Sequence, residues 1–365
     1  MKITDFNLYH SKLKLANPLV LKGGTVETRE GLALRLTDAD GATGWGETSP
    51  LAGFSVETLE STTEQLVQLK SKMLASEVPT GLERLNGAFD NWLGRPVLFP
   101  SVRFGIESAV LNLLADATQT PLPALIGGAA SASVAVNGLL MGTPNEIIER
   151  ARQLRAHGFQ TLKLKVGSRT IDEDINLLKQ VRETVGNDIK LRLDANRSWD
   201  YEDAATFMRR AADFDVEYIE EPARNLDQLR KLIYKTTPPI PVALDESLSQ
   251  INPKDLSSPY HISAVVIKPT MLGLERAVLF ARASKENGIT SVISSAFESS
   301  LGIYTLASLA AVVQDSKTAA GLDTLSRFAE DLCANTVKVE NGRINLETAA
   351  NVTGNVRLDM LKEIA

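Results

Sequence analysis

Apolar and polar residues alternate over residues 4–16 and again over 31–38, the period of two that a strand with one buried face imposes. From residue 58 to 74 the period lengthens: Leu59, Leu66, Leu69 and Met73 recur at helical spacing. Residues 102–117 repeat it with Phe104, Ile106, Ala109, Val110, Leu113 and Leu114. From about Ser133 a steadier beat begins, in which short β-branched runs alternate with amphipathic helices, as in successive βα units. The strands fall at 133–140, 161–166, 189–194, 216–220, 241–244, 264–267, 291–294 and 319–322. The helices fall at 145–156, 172–185, 201–214, 226–234, 274–287 and 301–313, and Gly158, Gly186 and Gly288 stand where left-handed C-caps belong. Eight parallel strands in one run predict a closed barrel. An open doubly wound sheet is the runner-up, but no G-x-G-x-x-G follows the first strand. Past the last strand, residues 336–346 carry an Asn-Gly turn and predict a hairpin that returns to the N-terminal domain.

Composition narrows the function classes. A net charge of −6 disfavours nucleic acid or anionic membrane as the main partner. No run approaches the roughly 18 apolar residues of a membrane helix, and the alternating start lacks the apolar stretch of a signal peptide. The single cysteine, Cys333, excludes an internal disulfide and fits a reducing cytoplasm. His10, His157 and His261 are too scattered to form a zinc site.

The chemistry concentrates where strands end, the rim on which such barrels place their catalysts. In Leu162-Lys163-Leu164-Lys165 the leucines face the helices and both lysines face inward. Buried ammonium groups need anions. The next three strands supply one each: Asp194, then Glu220 after 26 positions, then Asp245 after 25. Three converging carboxylates repel one another, and a hard divalent cation with oxygen ligands relieves that repulsion. The sixth strand adds Lys268, facing Lys165 across the mouth. Taken singly these pieces read as a helix cap, an edge-strand lysine pair and a Glu-Glu-Pro helix start. Five charged groups on five consecutive strands do not read as surface solvation.

Lys163-Leu-Lys165, Asp194-Ala-Asn196, Glu220-Glu-Pro, Asp245-Glu-Ser, Lys268-Pro and the serine-rich run 294–300 together resemble the enolase superfamily, muconate-lactonising branch. Arg192 to Trp199, Lys268 to Gly273, Ser294 to Gly302 and Gly321 to Leu325 bring the chain nearest to the o-succinylbenzoate synthase family of the menaquinone pathway. Ala296 and Phe297 interrupt the serines of that run, a departure that could reshape the ligand pocket. The resemblance implies a modified TIM barrel of the (β/α)7β type with an α+β capping domain from both chain ends. Residues 1–102 would form the N-terminal part of the cap, 103–325 the barrel, and 326–365 a segment returning to the cap.

It further implies that Asp194, Glu220 and Asp245 hold Mg²⁺, with Mn²⁺ as the alternative ion. Lys165 would be the base and acid, its ammonium disfavoured by Lys163, Lys268 and the metal. Lys268 would stay cationic against the substrate ring. Asn196, Ser294, Ser295 and Gly321 would contact substrate, the last three through hydroxyl and amide donors, with loop and cap hydrogen bonding as the alternative for those three. Asn196, Arg192 and Glu246 would hold ligands and lysines in place. Leu15, Leu19 and Leu21, with a Gly23-Gly24 hinge, would close over the ring. The implied activity is a carbon–oxygen lyase: syn dehydration of the cyclic β-hydroxy acid 2-succinyl-6-hydroxy-2,4-cyclohexadiene-1-carboxylate. An N-acylamino acid racemase or dipeptide epimerase is the alternative, and a non-catalytic carboxylate-binding homologue is the alternative of another class. The expected partner is a small carboxylate, with a homo-oligomer compatible.

Overall fold

The computed structural model describes residues 1–21, 24–94, 97–127, 131–235, 238–256 and 262–365. The chain opens with three antiparallel strands, β1 (Ile3–Leu21), β2 (Gly24–Asp38) and β3 (Thr43–Thr48). Helices α1 (Leu59–Ala75), α2 (Ala88–Trp92) and α3 (Pro100–Thr118) follow. α1 starts where the helical period does, because Thr58 and Ser61 cap each other's backbone amides. The alternation in β1 and β2 buries Phe6, Leu8, Leu32, Leu34 and Leu36. β3 lies so close to α3 that a Cβ on Gly46 would sit 2.0 Å from the Gly105 carbonyl oxygen, a contact only glycine permits.

A short helix, α4 (Leu122–Gly127), leads to β4 (Ser133–Ala135) and β5 (Gly138–Leu140). The single strand expected over 133–140 is thus two, since the backbone changes partner between them. Val136 N donates to Gly342 O and Asn137 N to Ala320 O. The βα beat then runs through α5 (Pro144–Ala156), β6 (Thr161–Lys165), α6 (Ile171–Val185), β7 (Lys190–Asp194), α7 (Tyr201–Ala211), β8 (Val216–Glu220) and α8 (Leu226–Lys235). It continues through β9 (Val242–Leu244), β10 (Ile262–Ile267), α9 (Pro269–Leu272), α10 (Leu274–Glu286), β11 (Thr290–Ile293) and α11 (Ser300–Val313). Gly158, Gly186 and Gly288 take φ of +79°, +74° and +67° after α5, α6 and α10, as the caps require.

Strands β5 to β11 form one parallel sheet in sequence order. The expected eighth strand, 319–322, is reduced to single-residue bridges from Ala320 to Val136 and from Gly321 to Ser294. Their amides donate to Ala135 O and Ile293 O, so this short seam still joins the two edges of the curled sheet. The fold is therefore a (β/α)7β-type barrel with a separate α+β cap.

The tail carries β12 (Arg343–Asn345), α12 (Leu346–Ala349) and β13 (Leu361–Glu363). The Asn-Gly turn forms, with Asn341 and Gly342 both at positive φ. It does not pack on the N-terminal sheet as expected: β12 pairs with β4, and Gly342 sits against Phe159. The segment meets the cap on either side of this turn: Phe328 bridges Leu15 and Ala329 N donates to Lys14 O before it, and β13 pairs with β1 after it. No helix among the described residues is long and apolar enough to cross a membrane.

Candidate active site

Parallel register sets the charged frame. Lys165 of β6, Asp194 of β7 and Glu220 of β8 are direct neighbours across the sheet, while Lys163, Arg192 and Tyr218 form the layer beneath. The flanking Leu162, Leu164, Leu191 and Leu193 are fully buried on the helix side, so alternation alone drives the charged residues inward. Asp194, Glu220 and Asp245 each offer an oxygen within 4.8 Å of the others, the one such group among the described residues.

Lysines answer these carboxylates. Lys163 Nζ donates to Asp194 Oδ2 and Glu220 Oε2, each at 3.1 Å. Lys165 Nζ donates to the same Asp194 oxygen at 2.6 Å and to Asn196 Oδ1 at 2.5 Å. Lys268 Nζ donates to Asp245 Oδ2. The Lys163 side chain is 9% exposed, whereas that of Lys165 is 32% exposed toward the cavity. Lys163 is therefore the more enclosed of the two, paired with two carboxylates, and Lys165 is the one more open to a ligand.

Burial opposes the charge on Lys163 and Lys268, but facing carboxylates overcome it and raise both above the usual lysine range: Glu220 and Asp194 for Lys163, Asp245 and Glu246 for Lys268. Burial likewise opposes charge on Asp194, yet Lys165, Lys163 and Lys268 hold it well below the usual carboxylate range. Glu220 is pushed up to about 8, by burial first, which outweighs the pull of Lys163, and then by Asp194 and Asp245. Asp245 rises to about 7, by burial against Lys268, with Glu246 and Asp194 adding repulsion. An all-oxygen set that cannot ionise fully without added positive charge fits a hard divalent cation.

The loop geometry holding this set is tight. Asn196, Arg197 and Glu221 take positive φ (43°, 60° and 41°) just past β7 and β8, a conformation that must be held by its surroundings. Asn196 N donates to Asp194 Oδ1 at 3.1 Å, and Asn196 Nδ2 to Glu246 Oε1 at 3.0 Å. Asn196 thus ties Lys165 to Asp194 and Glu246. Glu221 accepts from Asp245 N (2.9 Å), Ser247 N (2.8 Å), Ser247 Oγ (2.9 Å) and Arg197 Nε (3.0 Å). The sequence reading left Glu221 without a role. Its one signal was the acidic doublet, which does not say which member faces the ligand.

A cavity of about 920 Å³ opens beside Asp194, the one of the three carboxylates in its wall, and is lined further by Lys163, Lys165, Asn196, Lys268, Ser294, Ser295 and Gly321. Three expectations need correction. Ser294, Ser295 and Gly321 do not offer free amides, because these donate to Ile267 O, Gly321 O and Ile293 O in the closing ladder. The hydroxyls of Ser294 and Ser295 donate to Gly321 O as well (3.3 and 3.1 Å). Arg192 bonds none of the three metal-type carboxylates. It lies in the layer below, joining Glu217 (2.6 Å) to Ala319 O (2.7 Å) over the Tyr218 ring, where it fastens the barrel seam. In the cap, Leu15 and Leu19 belong to the core and Asn17 and Pro18 line the cavity instead. The Leu21 side chain, Gly23 and His261 lie outside the described residues. Apolar contact comes from Leu51, Phe54 and Met271, which the sequence reading missed, and from Ala296 and Phe297.

The model of the enolase C-terminal domain-like family matches residues 146–350, and that of the MenC N-terminal domain matches residues 3–113. The o-succinylbenzoate synthase of Pasteurella multocida is 32% identical over 88% of this chain and 90% of its own. The hydrophobic dipeptide epimerase of Enterococcus faecalis is also 32% identical, over 65% of each chain. The chain spans 20% of the length of Protein PHYLLO, chloroplastic, of Arabidopsis thaliana, with which 85% of it aligns at 35% identity. A crystal structure of a dipeptide epimerase from Enterococcus faecalis, complexed with Mg and the dipeptide L-Leu-L-Tyr, superposes with a TM-score of 0.81 at 26% identity, covering 99% of this chain and 100% of that one.

Proposed function

The chain belongs to the enolase superfamily, and from that premise we propose that it is an o-succinylbenzoate synthase-like dehydratase acting in menaquinone biosynthesis. The observation that carries the reading is the contrast between the two lysines of β6: Lys165 is the more open to the cavity, beside a carboxylate triad of which Lys163 holds Asp194 and Glu220 from beneath. Asp194, Glu220 and Asp245 would hold Mg²⁺, which when bound supplies positive charge for a substrate carboxylate and for the charge that builds on it.

Lys165 takes the proton from the carbon bearing that carboxylate. It then delivers the proton to the hydroxyl departing from the neighbouring carbon on the same face. One C–H and one C–O bond break, a C=C bond forms and water leaves. Lys268, an ammonium held by Asp245, stays charged against the ring and the developing negative charge. Asn196 orients Lys165 by accepting one of its protons.

The N-terminal match over residues 3–113 supports the synthase reading, because the cap supplies part of the cavity wall. The rival is racemisation of N-acylamino acids or epimerisation of dipeptides. What favours the rival is that Lys165 and Lys268 both line the cavity, as a two-base exchange at one carbon needs. Conversion of the hydroxycyclohexadiene carboxylate to an aromatic product with Mg²⁺ tests the synthase reading. Failure to convert it while racemising N-succinylamino acids reverses the choice.

A further inference from the structure

We propose that Arg29, on β2 of the cap, is a positioning residue for substrate specificity, fixing the apolar wall of the cavity by clamping a cap loop to a barrel loop. The inference rests on the carboxylate-substrate reading above. Arg29 is buried, and nothing in the sequence pattern of its strand calls for a charge there. Its guanidinium donates to Ser49 O and to Pro50 O (2.5 Å) on the loop that precedes Leu51 and Phe54. It also donates to Ala296 O (3.2 Å) and Phe297 O (3.2 Å), on the loop between β11 and α11. Leu51, Phe54, Ala296 and Phe297 all line the cavity. One side chain thus holds two substrate-facing loops from different domains, and the fixed fork of the guanidinium suits such a multi-acceptor site.

Two further observations point the same way. Phe297 takes φ +64°, a left-handed conformation that a non-glycine residue keeps only when its surroundings impose it. Arg29 grips the carbonyls on both sides of that φ rotation. Glu47 of β3 completes the grip from the same sheet, accepting from Ser299 N (3.1 Å), Ser299 Oγ (2.6 Å) and Gly302 N (3.1 Å) at the start of α11. Glu47 and Glu298 are the carboxylates whose charge faces the buried guanidinium. The cap thereby sets the shape of a barrel loop, so substrate selection depends on the cap, while the metal-type carboxylates on β7, β8 and the end of β9 are held separately, by Lys163 and Glu221.

The test compares Arg29→Met and Arg29→Lys with the parent enzyme in Mg²⁺. It uses the hydroxycyclohexadiene carboxylate, an N-succinylamino acid, and Mg²⁺ binding alone. Expected for Arg29→Met is a KM at least 10-fold higher with kcat within about 3-fold and Mg²⁺ affinity unchanged, and for Arg29→Lys an intermediate KM. Unchanged KM, or Mg²⁺ affinity falling in step with KM, overturns the proposal. Should Arg29→Met fail to fold, binding of the product o-succinylbenzoate to Arg29→Lys decides: weaker binding supports the clamp and parental binding overturns it. A chain that turns over only the N-succinylamino acid contradicts the dehydratase reading while still showing the Arg29 effect on that substrate.

Discussion

Lys165 Nζ lies 2.6 Å from Asp194 Oδ2, the oxygen that Lys163 also engages from below. A proposed base is therefore hydrogen-bonded to a proposed metal ligand, and Asn196 holds the base at that spot. Removing Lys165 should leave the carboxylates and Lys163 in place. Lys165→Ala is predicted to lower kcat by about 10³-fold or more, in the range of acid–base catalysis with both proton steps lost, and to abolish exchange of the substrate α-proton with solvent. Folding, read by circular dichroism, should be unchanged. Exchange continuing at the parental rate in Lys165→Ala would place the base elsewhere.

The carboxylate triad predicts a linked dependence on pH and metal. Glu220 and Asp245 have folded pKa values of about 8 and 7, above their ordinary 4.5 and 3.8. The folded, metal-free protein thus binds more protons than the unfolded chain across that window. Stability from these two groups is complete below about pH 4 and declines as pH rises through 7 to 8. Metal ligation needs both ionised, so Mg²⁺ should bind with proton release and more tightly as pH approaches 8. Thermal unfolding against pH, with and without Mg²⁺, checks the first point, and calorimetry in buffers of different ionisation enthalpy checks the second. Mg²⁺ binding without proton release at pH 6.5 contradicts the assignment. Excess chelator should abolish turnover, as should Asp194→Asn.

Glu221 organises the Asp245 loop through two amides, one hydroxyl and one guanidinium. In Glu221→Gln one carboxylate oxygen becomes a donor facing donors. A loss of about 1–3 kcal/mol of stability is predicted, the cost of a broken buried hydrogen bond. Because the loop carries Asp245, Mg²⁺ affinity should fall as well. Denaturant unfolding and Mg²⁺ titration check both outcomes, and a drop in stability with parental Mg²⁺ affinity would separate Glu221 from the metal site.

How much of this was legible in the sequence depends on what periodicity encodes. Alternation in β6 tells which face each lysine takes, and the βα repeat brings Asp194, Glu220 and Asp245 to one rim, so the charged frame could be read directly. The same rule, carried one step further, would have put Arg192 a layer below Asp194. Backbone commitments were not legible: side-chain identity cannot show that the amides of Ser294, Ser295 and Gly321 close the ladder. Nor could alternation foresee the register shift between Lys14 and Leu19 in β1. That irregularity brings Asn17 and Pro18 to the cavity in place of the leucines. The loop residues Leu51 and Phe54 carry no periodic signal at all.

The most direct measurement of the proposed reaction is made by NMR in D₂O with Mg²⁺, offering the cyclic β-hydroxy acid and both enantiomers of an N-succinylamino acid. Lys165 and Lys268 are held by different carboxylates, Asp194 and Asp245, and the proposed dehydration moves its proton through Lys165 alone. The predicted result is irreversible loss of water from the hydroxy acid, with no deuterium at the former α-carbon of the aromatic product and slow or absent exchange in the amino acids. Rapid deuteration of both amino-acid enantiomers with the hydroxy acid untouched would contradict the dehydratase assignment and make Lys268 a second base.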